Sequence, residues 1–255
     1  LRREIASDLE KMASQTQLTK ENRLHVFAAM TRLRRLACNA ALGTPPKQLP
    51  SAKLAACMEI IDELRANGHR ALVFSQFVGH LEIVKEALSK RDIPHLYLDG
   101  STPAASRAER VASFQSGVGD IFLISLKAGG VGLNLTAADY VIHLDPWWNP
   151  AVLDQATDRA HRIGQQKPVT VYQLVSQGTI EEKIIERHDK KRALADSILN
   201  GADTSAQFNI SELLDMIAEG NVLAGRGVDE AAMNGTESAE DYDETVSGQE
   251  GFAVL

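Results

Sequence analysis

The segment 154–165 reads DQATDRAHRIGQ and sets Gln155, Arg159 and Arg162 at i, i+4 and i+7. On a helix that spacing predicts three side chains on one narrow face, held side by side on a rigid support. Two guanidinium groups so placed suit a polyphosphate, because each donates paired hydrogen bonds to oxyanions. The competing reading is a surface ion-pair network in which Asp154 and Asp158 neutralise the two arginines. Nothing in the 255 residues matches the Gly-rich loop ending in Lys-Ser or Lys-Thr that cradles nucleotide phosphates. Arginines fit for a phosphate therefore stand in a sequence without a phosphate cradle.

Other polar residues that could do chemistry follow short apolar runs. Ser75-Gln76 follows 71–75, Asp99-Gly100-Ser101 follows 95–98, Ser125 and Lys127 end 121–125, and Asp145 ends 140–144. Helical patterns over 53–67, 80–90 and 104–115 separate several of these runs, and a further run spans 170–175. Strands alternating with helices of ten to fifteen residues predict a parallel sheet covered on both faces. In such sheets ligands bind beyond the carboxyl ends of the strands, where all four clusters fall.

Three of these features each have a plain reading and a sharper one. Ser101-Thr102-Pro103 could simply start a helix, with Pro at its first position, or hold a phosphate on free amides together with Ser101. The run 127–134, KAGGVGLN, could be a tight turn or a close backbone approach to a ligand. It is not a dinucleotide fingerprint, since Leu135 stands where the third glycine belongs. Both tryptophans of the chain lie in DPWWNP, 145–150, as core residues or as a surface for a nucleic-acid sugar or base.

Residues 1–42 read as helical, with Leu24, Phe27, Met30, Leu33 and Leu36 as the apolar stripe. Arg32, Arg34 and Arg35 there read equally as a solvated face or a DNA-backbone contact. The segment 43–51 holds three prolines and reads as a linker. Thr179 and Glu182 have capping-box spacing at the start of a helix over 179–199, with Ile180, Ile184 and Ile185 as its buried stripe, and a short helix is expected over 210–219. The formal net charge of −7 is uneven. Residues 201–255 carry one Lys or Arg against 12 Asp or Glu, whereas residues 1–200 carry 26 against 22. A mildly basic body permits a polyanionic partner, and the Gly-rich acidic tail from about 220 is expected to be disordered. No apolar run reaches the length of a membrane span and no signal peptide is visible. Cys38 and Cys57 read as reduced core thiols in a cytosolic protein, and His143, His161 and His188 as structural, so no metal site is expected.

Four blocks together carry a resemblance. VFSQF (73–77), LDGST (98–102), SLKAGGVGLNLTAADYVIHLDPWWNP (125–150) and DQATDRAHRIGQ (154–165) closely resemble the C-terminal RecA-like lobe of the Swi/Snf family of DNA-translocating ATPases, in helicase superfamily two. The match covers about residues 20–200, and its PWWNP form is similar to bacterial members and some eukaryotic repair members. The resemblance implies a three-layer α/β/α lobe with a mainly parallel sheet. With it the chain divides into a helical inter-lobe or protrusion segment with its linker (1–50), the lobe (51–178) and a brace helix with a following short helix (179–219), while the acidic tail (220–255) matches no part of the family. The resemblance implies that Arg159 and Arg162 are paired arginine fingers reaching the γ-phosphate of ATP, with Gln155 in the same motif. Gly130, Gly132 and Asn134 match the motif coupling nucleotide to DNA. Gln76, Ser101, Ser125 and Lys127 fall in blocks that face the DNA backbone in the family, and Trp148 matches a tryptophan that there lies close to DNA. ATP and Mg2+ would be held mainly by a first lobe. The implied partners are double-stranded DNA, that first lobe and a DNA-bound protein to be displaced, with a location in the bacterial nucleoid or a eukaryotic nucleus. The alternative from a different class is a stand-alone, non-catalytic DNA- or protein-binding adaptor.

Overall fold

A computed structural model describes residues 20–43, 49–129, 132–188 and 251–254. Its helices are α1 (Lys20–Cys38), α2 (Ala52–Ala66), α3 (Val78–Lys90), α4 (Ala104–Gln115), α5 (Leu126–Gly129), α6 (Pro150–Thr157) and α7 (180–188). The strands are β1 (Ala71–Ser75), β2 (His95–Leu98), β3 (Ile121–Ser125), β4 (Tyr140–His143), β5 (Thr170–Val175) and β6 (Gly251–Val254). They form one parallel sheet in the order β2-β3-β1-β4-β5-β6.

The centre of the sheet follows from composition. β1 (ALVFS) and β3 (IFLIS) are buried at every position, as strands covered on both faces must be. Alternate residues serve opposite faces. Ala71, Val73, Ile121 and Leu123 pack with Met58 and Ile61 of α2 and Leu81, Val84 and Leu88 of α3. Leu72, Phe74, Phe122 and Ile124 pack with Phe114 of α4 and Leu153 and Ala156 of α6. The expected α/β/α layering results. Phe114 and Phe122 sit with ring centroids 5.2 Å apart, fully buried, each worth roughly 1.5–3 kcal/mol of transfer free energy. At the amino ends of the strands Arg70 lies over Phe114 and donates to the carbonyls of Phe114 and Gly119, both at 2.7 Å.

The helix starts are only partly as the sequence suggests. Ser51 caps α2, its hydroxyl accepting from the Leu54 amide, and Asn149 caps α6 with Pro150 behind it. At α4, Pro103 occupies the capping position rather than the first helical one, with no side-chain cap. Ser101 and Thr102 are engaged by Asp99 instead. At α7 the Thr179 hydroxyl accepts from Glu181 N, while the Glu182 carboxylate returns to the Gly178 amide, one residue before the capping-box position.

The stripe of α1 also differs. Leu24 and Phe27 are 71% and 47% exposed, while Val26, Met30, Arg34 and Cys38, at strict i+4 spacing, are buried. Val26 and Met30 pack against Ile180 and Ile184 of α7, so α1 and α7 meet. Ile185 is only half buried. The expectation of a disordered tail over 220–255 does not hold at its end. The apolar run GFAV departs from the acidic composition and pairs with β5, whose outer edge would otherwise present unpaired amides and carbonyls. Of the expected linker 43–51, residues 44–48 lie outside the described residues, as do the expected helix 210–219 and residues 189–199 of the expected brace helix. Among the described residues no helix is long and apolar enough to cross a membrane.

Candidate functional site

The parallel order β2-β3-β1-β4 brings the polar clusters to one edge in the sequence DGST, SLK, SQF, DPWW. The arginine segment lies behind this edge, but not on one helix. α6 ends at Thr157, with Asp158 as its C-cap. Beyond it the amides of Arg159 and Ala160 bond back three residues, to Ala156 and Thr157, and the chain turns. Gly164 has φ +108°, a left-handed conformation that suits glycine. The turn closes because the Arg159 carbonyl accepts from the Leu135 amide at 2.9 Å and Gln165 donates to the carbonyls of Thr136, Ala138 and Ala160. The expectation of Gln155, Arg159 and Arg162 on one helical face is therefore corrected. Gln155 lies exposed on α6, Arg159 is 5% exposed, and Arg162 is exposed in the turn.

This turn is nonetheless built around the glycine run. Arg162 Nη1 donates to the Gly132 carbonyl at 3.4 Å. Gly132 has φ +46° and open space where a Cβ would point, so its backbone is accessible to a ligand. Arg159 Nε is buried without a partner, an unsatisfied donor at the same turn. Asn134 is exposed beside it, and Gly130 lies outside the described residues. Gln165 is the residue that sequence reasoning passed over. It closes the quoted motif, and the signal was an amide-bearing side chain directly after a glycine turn.

The expected DNA-facing residues divide. Lys127 and Ser101 are exposed; Ser101 donates its amide (2.9 Å) and hydroxyl (2.7 Å) to Asp99. That hydroxyl bond is the main cause holding the Asp99 carboxyl below its ordinary range, and the Ser101 amide is not free for a phosphate. Ser125 is corrected: it is 2% exposed and its hydroxyl accepts from the Ala128 amide, so it shapes the start of α5 rather than facing solvent. Gln76 is half buried; its amide bonds Asp145, and its Oε1 is buried without a partner. Trp148 is half buried against the α1–α7 cluster, while Trp147 packs on the core beneath α6. Arg34, read as solvated or DNA-bound, is neither: it is 2% exposed beneath the two tryptophans. Its place on the Val26–Met30–Cys38 stripe was the available signal.

Behind the edge lies a buried ionic network. Ser75 donates to Asp145, and Arg34 Nη2 stands 3.9 Å from the same carboxylate. Lys53 pairs with Glu181, which also accepts from Cys38 Sγ (3.5 Å) and the Ser176 amide (2.9 Å). Burial raises the Asp145 carboxyl and raises the Cys38 thiol well above its usual value. Cys57 is pushed up to about 12 by burial alone, as expected of an inert core thiol. Ligand atoms of Cys38, His80 and Asp145 lie within 4.8 Å of one another. The cations Arg34 and Lys53 already balance Asp145 and Glu181, so a metal ion there would add unmatched positive charge.

Two buried histidines give this region a pH dependence. Burial lowers His143, stacked on Phe74 and 3.0 Å from the Thr157 hydroxyl, to about 4. Burial first, then Lys53, lowers His80 to about 3. As pH falls below the unfolded value near 6.5, the unfolded chain takes up protons that the folded chain refuses until about 4. The stabilisation is complete above about 6.5 and is lost on the way down, on the order of 3 kcal/mol for His143. Asp145 runs the opposite way, so the readout is a difference between variants. The urea midpoint should fall between pH 7 and pH 5, and His143→Gln should flatten that fall; equal slopes would refute the assignment.

The comparisons fit this geometry. Residues 52–164 match the helicase conserved C-terminal domain. The chain is 43% identical over 184 residues to the chromatin-remodeling ATPase INO80 of Cryptococcus neoformans, covering 71% of this chain and 10% of that protein. It thus spans about a tenth of the length of that curated relative. The C-terminal domain of the Sulfolobus solfataricus SWI2/SNF2 ATPase superposes with TM-score 0.64 at 28% identity, over 84% of this chain and 86% of that one. The core of that ATPase in complex with double-stranded DNA superposes with TM-score 0.65 at 30% identity, over 79% of this chain and 43% of that one. The glycine run and arginine turn at the carboxyl edge of a RecA-like sheet, with these matches, place the chain in the Swi/Snf family of helicase superfamily two, as its C-terminal lobe.

Proposed function

We propose that this chain is half of an ATP-driven motor on duplex DNA. The observation that carries the reading is the turn in which Arg162 rests on the Gly132 carbonyl, beside the unsatisfied Nε of Arg159. Arg162 is exposed toward an ATP whose phosphates a first lobe holds, and Arg159, 5% exposed in the same turn, offers it the unsatisfied Nε. There they stabilise charge on the transferred phosphoryl group, an effect worth ~10³–10⁵ in rate. Gln155, Gly130, Gly132 and Asn134 flank the nucleotide in this reading. Guanidinium and glycine backbone are poor ligands for magnesium, so the ion is left to the first lobe. Gln76, Ser101, Lys127 and Trp148 form or shape the DNA-facing edge. Relatives named as chromatin remodellers, from Cryptococcus neoformans and Drosophila melanogaster, support a place on DNA in a nucleus and a DNA-bound protein as the load. They lend no support to a bacterial nucleoid.

The test compares the 255-residue chain with a protein carrying both lobes. The chain alone should hydrolyse ATP at a rate indistinguishable from buffer, and the two-lobe protein should hydrolyse it in a duplex-stimulated manner. Efficient DNA-stimulated turnover by the chain alone defeats the half-motor reading. A two-lobe protein that binds duplex without hydrolysis favours the adaptor.

A further inference from the structure

The loop after β4 is held by two helices that lie outside the sheet. Arg34, from α1, has its guanidinium carbon 5.1 Å from the ring centroid of Trp147, 5.0 Å from that of Trp148 and 5.3 Å from that of Phe77. In the same position its Nη2 donates to the Pro146 carbonyl at 2.7 Å. His188, from α7, brings Nε2 to 2.6 Å from the next carbonyl, that of Trp147. Two successive carbonyls of the loop are thus fixed from two directions. Asn149 then caps α6, whose far end opens into the arginine turn.

An arginine is an expensive way to fill this space. A buried ion pair contributes little net stability, and apolar side chains of similar volume usually serve as well. What a guanidinium alone provides is a flat cation that stacks on rings while donating in its plane. A lysine keeps the charge but cannot do both. We propose that Arg34 is a positioning residue for the Trp147–Trp148 loop, setting the angle at which Trp148 meets duplex DNA. α1 thereby governs DNA engagement by the lobe. The inference rests on the reading of this edge as DNA-facing and adds the residue that sets its shape.

The two tryptophans of the loop are the only ones in the chain, so fluorescence excited beyond the absorption of the four tyrosines reports this loop alone. Arg34→Lys and Arg34→Met are compared with the unaltered chain well below their unfolding temperatures, by emission spectrum and by titration with a short DNA duplex. Both variants should shift the emission to longer wavelength and raise the half-saturating duplex concentration about tenfold, equivalent to ~1.4 kcal/mol. Full rescue by lysine would mean that charge, not planar stacking, is what matters, and overturns the proposal. So does altered emission with unchanged DNA affinity. If both Arg34 variants fail to fold, His188→Ala removes the second anchor. It must then shift the emission and weaken duplex binding, and an unchanged response in either overturns the proposal. If the unaltered chain does not bind duplex, the DNA-facing reading fails, and the emission spectra still decide whether Arg34 holds the rings.

Discussion

Replacing Arg162 by alanine in a protein carrying both lobes is expected to lower duplex-stimulated ATP hydrolysis by ~10³-fold or more. The half-saturating duplex concentration should change little. The reason is geometric. Arg162 is exposed in the turn, and its described tie to the lobe is a 3.4 Å bond to the Gly132 carbonyl. Its removal leaves the core and the carboxyl edge of the sheet as they are. What it takes away is a guanidinium fork able to meet an oxyanion developing in the transition state. Arg162→Lys should recover only a small part of the rate, because a point charge does not reproduce the paired donors. Arg159→Ala is a less clean test, since that side chain is buried and its loss also disturbs packing. Steady-state hydrolysis with and without duplex, beside a binding titration, separates the effects. Hydrolysis within tenfold of the unaltered protein would sink the finger assignment.

Replacing Lys53 by methionine is expected to destabilise the lobe by about 3–5 kcal/mol, because it leaves a buried carboxylate without its cation. Glu181 is fully buried on α7 and Lys53 is 2% exposed on α2, so neither can turn to solvent. The Cys38 thiol and the Ser176 amide would remain as donors to Glu181, without supplying charge. Removing both partners, Lys53→Met with Glu181→Leu, should recover most of the loss, because the cost lies in the unpaired ion. Urea unfolding of the singles and the double closes the cycle. A loss below about 1 kcal/mol for Lys53→Met would show that Glu181 takes up a proton or water there. The pair joins α2 to α7, and the Arg34–Asp145 pair joins α1 to the loop after β4. Together they explain why helices flanking the sheet hold a fixed position on it.

The sheet was legible in the chain because its central strands are short unbroken apolar runs between polar turns. β1, β2, β3 and β5 fall where the runs fall, and β4 only loses Leu144 at its end. The candidate site was legible as a location, since polar residues following those runs must gather at one edge of a parallel sheet. Its internal geometry was not. Helical spacing put Gln155, Arg159 and Arg162 on one face, but spacing carries that meaning only while the helix lasts. α6 stops at Thr157 because the Arg159 carbonyl is claimed by Leu135 and the Gln165 side chain by the carbonyls of Thr136 and Ala138, bonds to residues 24 to 29 positions away, and by that of Ala160.

Arg34 shows the same division. Its i+4 register with Val26, Met30 and Cys38 was written in the sequence, but a charge on a helix reads as solvated until its partners are known. Those partners, Phe77, Asp145, Pro146, Trp147 and Trp148, lie 43 to 114 residues further along. The sequence by itself determined β1 to β5 and the layering, because these follow from local hydrophobic pattern, and it carried the family blocks as residue motifs. Only the tertiary structure decided which polar groups are buried, paired or left open to a ligand. Burial and charge pairing are properties of segments meeting across the sheet, and no local pattern specifies them.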